Sequence, residues 1–281
     1  MTPQDALLGW DEDTTAEAYA AFTRDFPMYH ATSHDLARRA RLEGSRLVVD
    51  LCGGAGATAA AILGRVPATA QVISLDSAAA MQRVGRHMVT DPRLRWVTAA
   101  AEDLAAHVPA GEADGVVCNS AIWKTDVPRV FAAVARVLRP GGRFVFNIGG
   151  GFAGVRHKDE DDAGPGPSLN RLIHEIAARE HNYTPPAPRT SPPKLPLEAV
   201  TGHLAAAGMD LLDADVTAQH GTAAEKKAWL SIPVFARPEG DFTHAQRMDI
   251  LAKAYALTSP GVPIVTSWLT ITAQRPELRT P

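Results

Sequence analysis

The sequence predicts an α/β fold: a doubly wound sheet of seven mostly parallel strands, with a helical cover at the N-terminus and insertions towards the C-terminus. Three observations carry this. The run Arg46-Leu47-Val48-Val49-Asp50 ends in an acid, and the turn Leu51-Cys52-Gly53-Gly54-Ala55-Gly56 leads directly into Ala57, Ala59, Ala60 and Ala61, small residues that open a helix. A second apolar run, Gln71 to Asp76, also ends in an acid, 20 residues beyond Gly56. Strand-like runs and helical patterns then alternate as far as Ile148.

The first unit has a physical purpose. Glycine gives the backbone access to positive φ and lets a ligand lie against bare main chain. The helix that follows offers unpaired N–H groups at its start. Strand, tight turn and helix in that order mark a nucleotide-type cofactor site at the first strand of a doubly wound sheet. The acid at Asp76 stands at the spacing where a carboxylate meets ribose hydroxyls. A third strand is expected over Arg93 to Thr98, followed by Ala101-Glu102-Asp103-Leu104. A fourth runs from Asp114 to Ser120, and a helix from Val127 to Leu138 precedes the turn Arg139-Pro140-Gly141-Gly142 and a fifth strand ending near Ile148.

This ordered set resembles the class I S-adenosylmethionine-dependent methyltransferases of the small-molecule type. Their glycine motif is commonly acid-x-G-x-G-x-G. Asp50, Gly54 and Gly56 match the acid and the last two glycines, Gly53 lies between, and Cys52 stands where the first glycine is usual. The resemblance extends to Asp76 with Met81 five residues on, to Ala101-Glu102-Asp103-Leu104 and to Leu138-Arg139-Pro140-Gly141-Gly142. It covers residues 46 to 148 well and the rest in outline. Relatives often carry an acid just before the Ala-Glu-Asp-Leu string, where this chain has Ala100.

The resemblance implies a Rossmann-like methyltransferase fold and S-adenosyl-L-methionine as cofactor, with S-adenosyl-L-homocysteine as product. It implies cofactor contacts at Asp50, Cys52, Gly53, Gly54, Gly56, Asp76, Ser77, Met81, Ala101, Glu102, Asp103 and Asn119. The residue types suit those tasks. Gly53 and Gly54 offer turn N–H groups to a carboxylate, and main-chain oxygens at Cys52 and Asn119 suit an ammonium. Asp76 can accept from both ribose hydroxyls. Glu102 can accept from an adenine amino group, and Met81 offers a polarizable face to the ring. Asp50 holds the turn.

Composition agrees. The chain has 281 residues, 46% hydrophobic and 21% charged, as in soluble globular enzymes. A net charge of −3 argues against nucleic acid as partner. The two cysteines, Cys52 and Cys118, make neither a disulfide framework nor a zinc set, and both fall at strand C-termini, where they can approach each other. No metal is expected. Without a leader or an apolar run of membrane-spanning length, the expected setting is cytoplasmic, as a monomer or homodimer.

Residues 1–42 are expected to form the helical cover, and 43–281 the main domain with a lid-like insertion at 152–196 and a helical insertion at 217–260. Helices are expected from Thr15 to Asp25 and from Ser33 to Leu42, Ser33 capping the second. Tyr29 and His30 fall between them and are the candidate catalytic groups. Tyr19, Phe22, Ile122 and Trp123 are the candidate substrate-binding groups. Gly149-Gly150-Gly151 reads as a flexible exit, and His157 to Asp162 as a solvated charged run. Ser168 caps a helix to Glu180, and the prolines between Thr184 and Pro196 read as extended linker. A helix from Pro196 to Ala207 leads to a sixth strand over Met209 to Val216. A helix from Thr243 to Leu257, with Gln246 as reciprocal cap, precedes a seventh strand from Pro263 to Ala273.

These features predict methyl transfer to the N, O or activated C of a small molecule, of the kind made in specialised biosynthesis. The alternative is a protein of the same fold that binds the cofactor without transferring methyl, as a cyclase or binding module. A dehydrogenase on the same sheet type is the other rival class, and the glycine spacing and the lack of a Tyr-x-x-x-Lys pair argue against it.

Overall fold

The computed structural model describes residues 8–160, 168–185, 192–259 and 261–277. The helices α1 (Asp13–Asp25) and α2 (Met28–Ala40) precede β1 (Leu47–Leu51) and α3 (Ala57–Leu63). Then come β2 (Gln71–Asp76), α4 (Ala79–Met88), β3 (Leu94–Thr98), α5 (Leu104–His107), β4 (Ala113–Cys118), α6 (Val127–Val137) and β5 (Leu138–Gly149). The remainder comprises α7 (Gly150–Ala153), α8 (Leu169–His181), α9 (Leu197–Ala206), β6 (Asp210–Thr222), α10 (Ala223–Leu230), α11 (His244–Ala256) and β7 (Pro263–Gln274).

The seven strands form one sheet in the order β3-β2-β1-β4-β5-β7-β6. The first five pair in parallel, while β7 runs antiparallel to both β5 and β6. The strand order reverses beside β1, so its C-terminal end and that of β4 open a crevice. Central strands covered on both faces must be apolar throughout, and Val48, Val49, Val116, Val117, Phe144, Val145 and Phe146 are all fully buried. α6 closes one face with Val130, Phe131, Val134 and Val137. Asp126 starts that helix by accepting from the Arg129 amide. On the other face, Leu36, Ala37 and Ala40 of α2 pack with Ile62 and Val48.

Several boundaries differ from the sequence reading, each for a physical reason. The second helix begins at Met28, because Pro27, with φ −75°, already sets helical backbone. Tyr29 and His30 therefore lie in a helix and not in a loop. Ser33 is buried mid-helix and caps nothing; its hydroxyl bonds to the Thr58 hydroxyl at 2.9 Å. β6 runs on to Thr222 because it pairs with β7 along its whole length, although its outer half is polar. Gly149 to Gly151 do not form a loose exit. Gly150 is buried in the turn of α7, where an added Cβ would lie 2.6 Å from the Val155 carbonyl oxygen.

Ser168 caps α8, and Thr243 and Gln246 form the expected reciprocal cap of α11. The apolar faces of α8 and α11 pack together through Leu169, Leu172, Ile173 and Ile176 against Ile250, Leu251 and Ala254, with Leu230 of α10 joining them. The expected charged and proline-rich stretches fall partly on 161–167 and 186–191, outside the described residues. Among the described residues, no helix is long and apolar enough to cross a membrane.

Candidate functional site

The turn after β1 uses its residues for different ends. Cys52 adopts φ 56°, a left-handed conformation that glycine favours, so the backbone shape persists where the first glycine is replaced. A Cβ on Gly53 would lie 2.2 Å from the Ser74 hydroxyl and 2.3 Å from Asp50 Oδ2. Gly56 packs against Trp96 of β3 in the same way, at 2.6 Å. Gly54 differs. Its φ is 53°, and the nearest atom to an added Cβ is a Tyr19 ring carbon at 4.0 Å. The space before Gly54 is therefore open.

Asp50 backs this turn from inside. It is fully buried, and its Oδ2 accepts from the Ser74 hydroxyl at 3.0 Å, while Oδ1 has no hydrogen-bond partner among the described residues. Burial pushes its carboxyl up to about 7, against the opposing pull of the Ser74 hydrogen bond. Asp76, at the end of β2, is held by two amides: Oδ2 accepts from Gly54 N at 2.9 Å and Oδ1 from Ala78 N at 2.8 Å. Burial raises its carboxyl above the usual range, while those amides pull it down. Each oxygen retains a second lone pair for a ligand hydroxyl.

Asn119, just past β4, donates from Nδ2 to the hydroxyls of Thr32 at 3.0 Å and Ser33 at 2.9 Å. Its buried Oδ1 accepts from no group among the described residues. Cys52 and Cys118 are free thiols, and the neighbouring Cys118 together with burial pushes the Cys52 thiol well up. Glu102 Oε1 accepts from Asp126 N at 2.7 Å and so ties the loop after β3 to the start of α6.

A cavity of about 1190 Å³ opens over this turn. Cys52, Gly54, Asp76, Ser77, Met81, Ala101, Glu102 and Asn119 line it, together with Tyr19, Tyr29 and Trp123. The structure does not bring every candidate there. His30 is exposed and outside the lining, so a catalytic part for it has no geometric basis. Phe22 is buried behind Tyr29, with ring centroids 5.9 Å apart. Ile122 is fully buried in the core. Asp103 is exposed, and Asp50, Gly53 and Gly56 shape the turn without reaching the cavity wall.

Of the far wall, the sequence reading names Tyr19 and Trp123 but not the groups that α10 and its flanks add. Trp229 of α10 stacks on Phe235 at 3.9 Å, and Trp10 meets both Phe235 and Tyr19 edge-on at 5.4 and 5.8 Å. Trp123 stacks on Phe152 at 4.7 Å. Lys124 lies 3.8 Å over the Trp10 ring, and burial pushes its ammonium down to about 8 despite the pull of Asp76. Lys226 and Arg237 line the same space. The signal available in the sequence was the placing of two aromatics, Trp229 and Phe235, between the basic residues Lys226, Lys227 and Arg237.

Residues 48–142 match the family model described as a methyltransferase domain. No curated protein sequence matches the chain. Among solved structures, a candidate methyltransferase of Bacillus halodurans C-125 superposes with a TM-score of 0.54 at 15% identity, over 88% of this chain and 99% of that one. The [4+2]-cyclase SpnF gives 0.55 at 14% identity, over 89% and 82%. A Haemonchus contortus phosphoethanolamine N-methyltransferase, solved with phosphomonomethylethanolamine and S-adenosylhomocysteine, gives 0.57 at 15% identity, over 99% of this chain and 61% of that one. At these identities the likeness is one of fold.

Proposed function

We propose that this chain, whose residues 48–142 match a methyltransferase domain model, is a class I enzyme that transfers the methyl group of S-adenosylmethionine to a small organic acceptor. One observation carries the reading. The glycine turn and Asp76 open into the same cavity as an aromatic wall contributed by α1, α2 and α10, so cofactor and acceptor have adjoining places in one cleft.

The residues at the turn fit the cofactor. Backbone at Gly54 is open to close approach. Asp76 offers a carboxylate to ribose hydroxyls, and the orphaned Oδ1 of Asn119 offers an acceptor to an ammonium. When bound, the cofactor supplies an electrophilic methyl group on a positively charged sulfur. The protein aligns the acceptor with it and excludes water, which in well-aligned systems lowers a barrier by about 7–11 kcal/mol. Tyr19, Tyr29 and Trp123 orient the acceptor. Burial holds the Tyr29 phenol well protonated, so its part is to orient and not to take a proton.

The test is to supply S-adenosylmethionine with phenols, amines, carboxylic acids and indoles, and to measure S-adenosylhomocysteine together with methylated product. Product formation that is lost in Gly54→Val supports the reading, since a β-branched side chain at φ 53° intrudes on the open space. Tight cofactor binding without turnover on every acceptor class would instead favour a binding or cyclase role.

A further inference from the structure

The charges lining the cavity are unevenly satisfied. Each of its carboxylates has a protein partner. Asp11 accepts from Ala80 N at 2.8 Å, Asp76 from two amides, Glu102 from Asp126 N, and Glu160 from the Ser267 hydroxyl. The cation at the far end is placed differently. Lys226 lies one helical turn before Trp229 on α10, with its ammonium 4.1 Å from the indole centroid. Among the described residues it has no hydrogen bond and no ion pair, and the charge that acts on it is the like charge of Arg237. Arg237 is itself held at 3.2 Å by Glu239.

A half-buried ammonium facing a like charge is costly, because neither water nor a carboxylate compensates it fully. Burial and Arg237 together push the Lys226 ammonium down to about 8. An anion entering the cavity would remove that cost and gain charge-assisted hydrogen bonds. Beside this cation the wall is aromatic, from Trp229 and Phe235 to Tyr29 and Tyr19. The same path leads back to the glycine turn, since Tyr19 is the nearest group to the open side of Gly54.

We propose that the acceptor is an apolar, ring-bearing molecule with one carboxylate or phosphate group, and that Lys226 binds this anion at the end of the cavity remote from the glycine turn. This rests on the reading of the cavity as a methyl-transfer site. The anion anchors one end on α10, and the body of the molecule runs along the tyrosines towards the turn.

The test uses calorimetry on the full chain saturated with S-adenosylhomocysteine, titrated with naphthoate, naphthyl phosphate and the neutral naphthamide. At least one of the two anions should bind about 10-fold or more tightly than the amide. The tighter of the two identifies the head group. Lys226→Met should abolish that preference without weakening amide binding, and Lys226→Arg should keep it. Equal binding of anions and amide, no binding of any probe, or a preference that survives Lys226→Met would overturn the proposal. S-Adenosylhomocysteine binding is measured in the same samples. Its absence would defeat the methyl-transfer reading, whereas its presence without anion preference defeats the anion site alone.

Discussion

The indole Nε1 of Trp229 donates to the phenolic oxygen of Tyr29 at 3.2 Å, across 200 residues of sequence. The Tyr19 ring lies against the Tyr29 ring, with centroids 5.1 Å apart. One residue earlier, Met28 N donates to the buried carboxylate of Glu225 at 3.0 Å. The start of α2 is therefore fastened to α10 at two adjacent residues. The N-terminal cover and the C-terminal insertion form one wall of the cavity.

Tyr29→Phe leaves the half-buried indole Nε1–H of Trp229 without its acceptor. We expect a loss of about 1–3 kcal/mol in stability, the cost of unsatisfied buried polar groups. Turnover should fall as the wall loosens. Affinity for S-adenosylhomocysteine should stay within about 0.5 kcal/mol, because Tyr29 is not among the proposed cofactor contacts. Denaturant titration, calorimetry and steady-state kinetics on one preparation separate the three quantities. Full turnover in the mutant would reduce Tyr29 to a packing residue.

Asp76→Ala removes the carboxylate proposed to meet the ribose. Cofactor binding should weaken by about 1.5–3 kcal/mol, as for hydrogen bonds to a charged group. The amides of Gly54 and Ala78 also lose their acceptor, so part of this loss comes through the shape of the turn. Unchanged affinity in a folded mutant would mean that another group holds the ribose.

What the sequence reveals follows the range of each interaction. The strand-turn-helix unit at 46–63, the acid at Asp76 and the reciprocal cap at Thr243 and Gln246 depend on neighbours a few residues away. Patterns of that range are written locally. Ser33 reads as a cap because its partners, Thr58 and Asn119, are distant in sequence, and a serine before an apolar helical pattern looks the same either way. Glu102 reads as a ligand contact and does line the cavity, but the bond from Asp126 N to its Oε1, across 24 residues, is not legible in the sequence. Lys226 and Trp229 become part of the site only when α10 is folded against α2. The glycines of the turn are legible as a group, but their separate reasons are not. Gly53 makes room for Asp50 and Ser74, and Gly56 makes room for Trp96.

Asp50 should leave a signature in the pH dependence of stability. Its carboxyl lies at about 7 in the folded chain, against an ordinary value of 3.8, so the folded form binds the proton more tightly than the unfolded one. Its contribution is then fully present below about pH 4 and is lost as pH rises through about 7. Asp50→Asn carries no such proton. The difference in unfolding free energy between wild type and Asp50→Asn should therefore shift by up to about 4 kcal/mol between about pH 4 and pH 8, in the mutant's favour at high pH. Parallel profiles would show that Asp50 ionises in the folded state without cost.

The wall predicts how the cavity closes. Tyr19, Tyr29 and Trp229 belong to three helices that meet over the turn, above the C-terminal ends of the central strands. Such elements open locally at lower cost than the buried strands beneath them. Ligand in the cavity should therefore slow amide exchange in α1, α2 and α10, while β1 and β4, protected already, change little. α8 has no wall residue, but Ile173 and Leu172 share an apolar cluster with Leu230 at the end of α10. Its exchange should slow as well, less than that of α10 and only when α10 is ordered. Hydrogen exchange with S-adenosylhomocysteine alone, and then with an acceptor added, resolves the sequence of events. Protection in α8 without protection in α10 would contradict this coupling, and identical exchange with and without ligands would make the helical cover a fixed part of the fold.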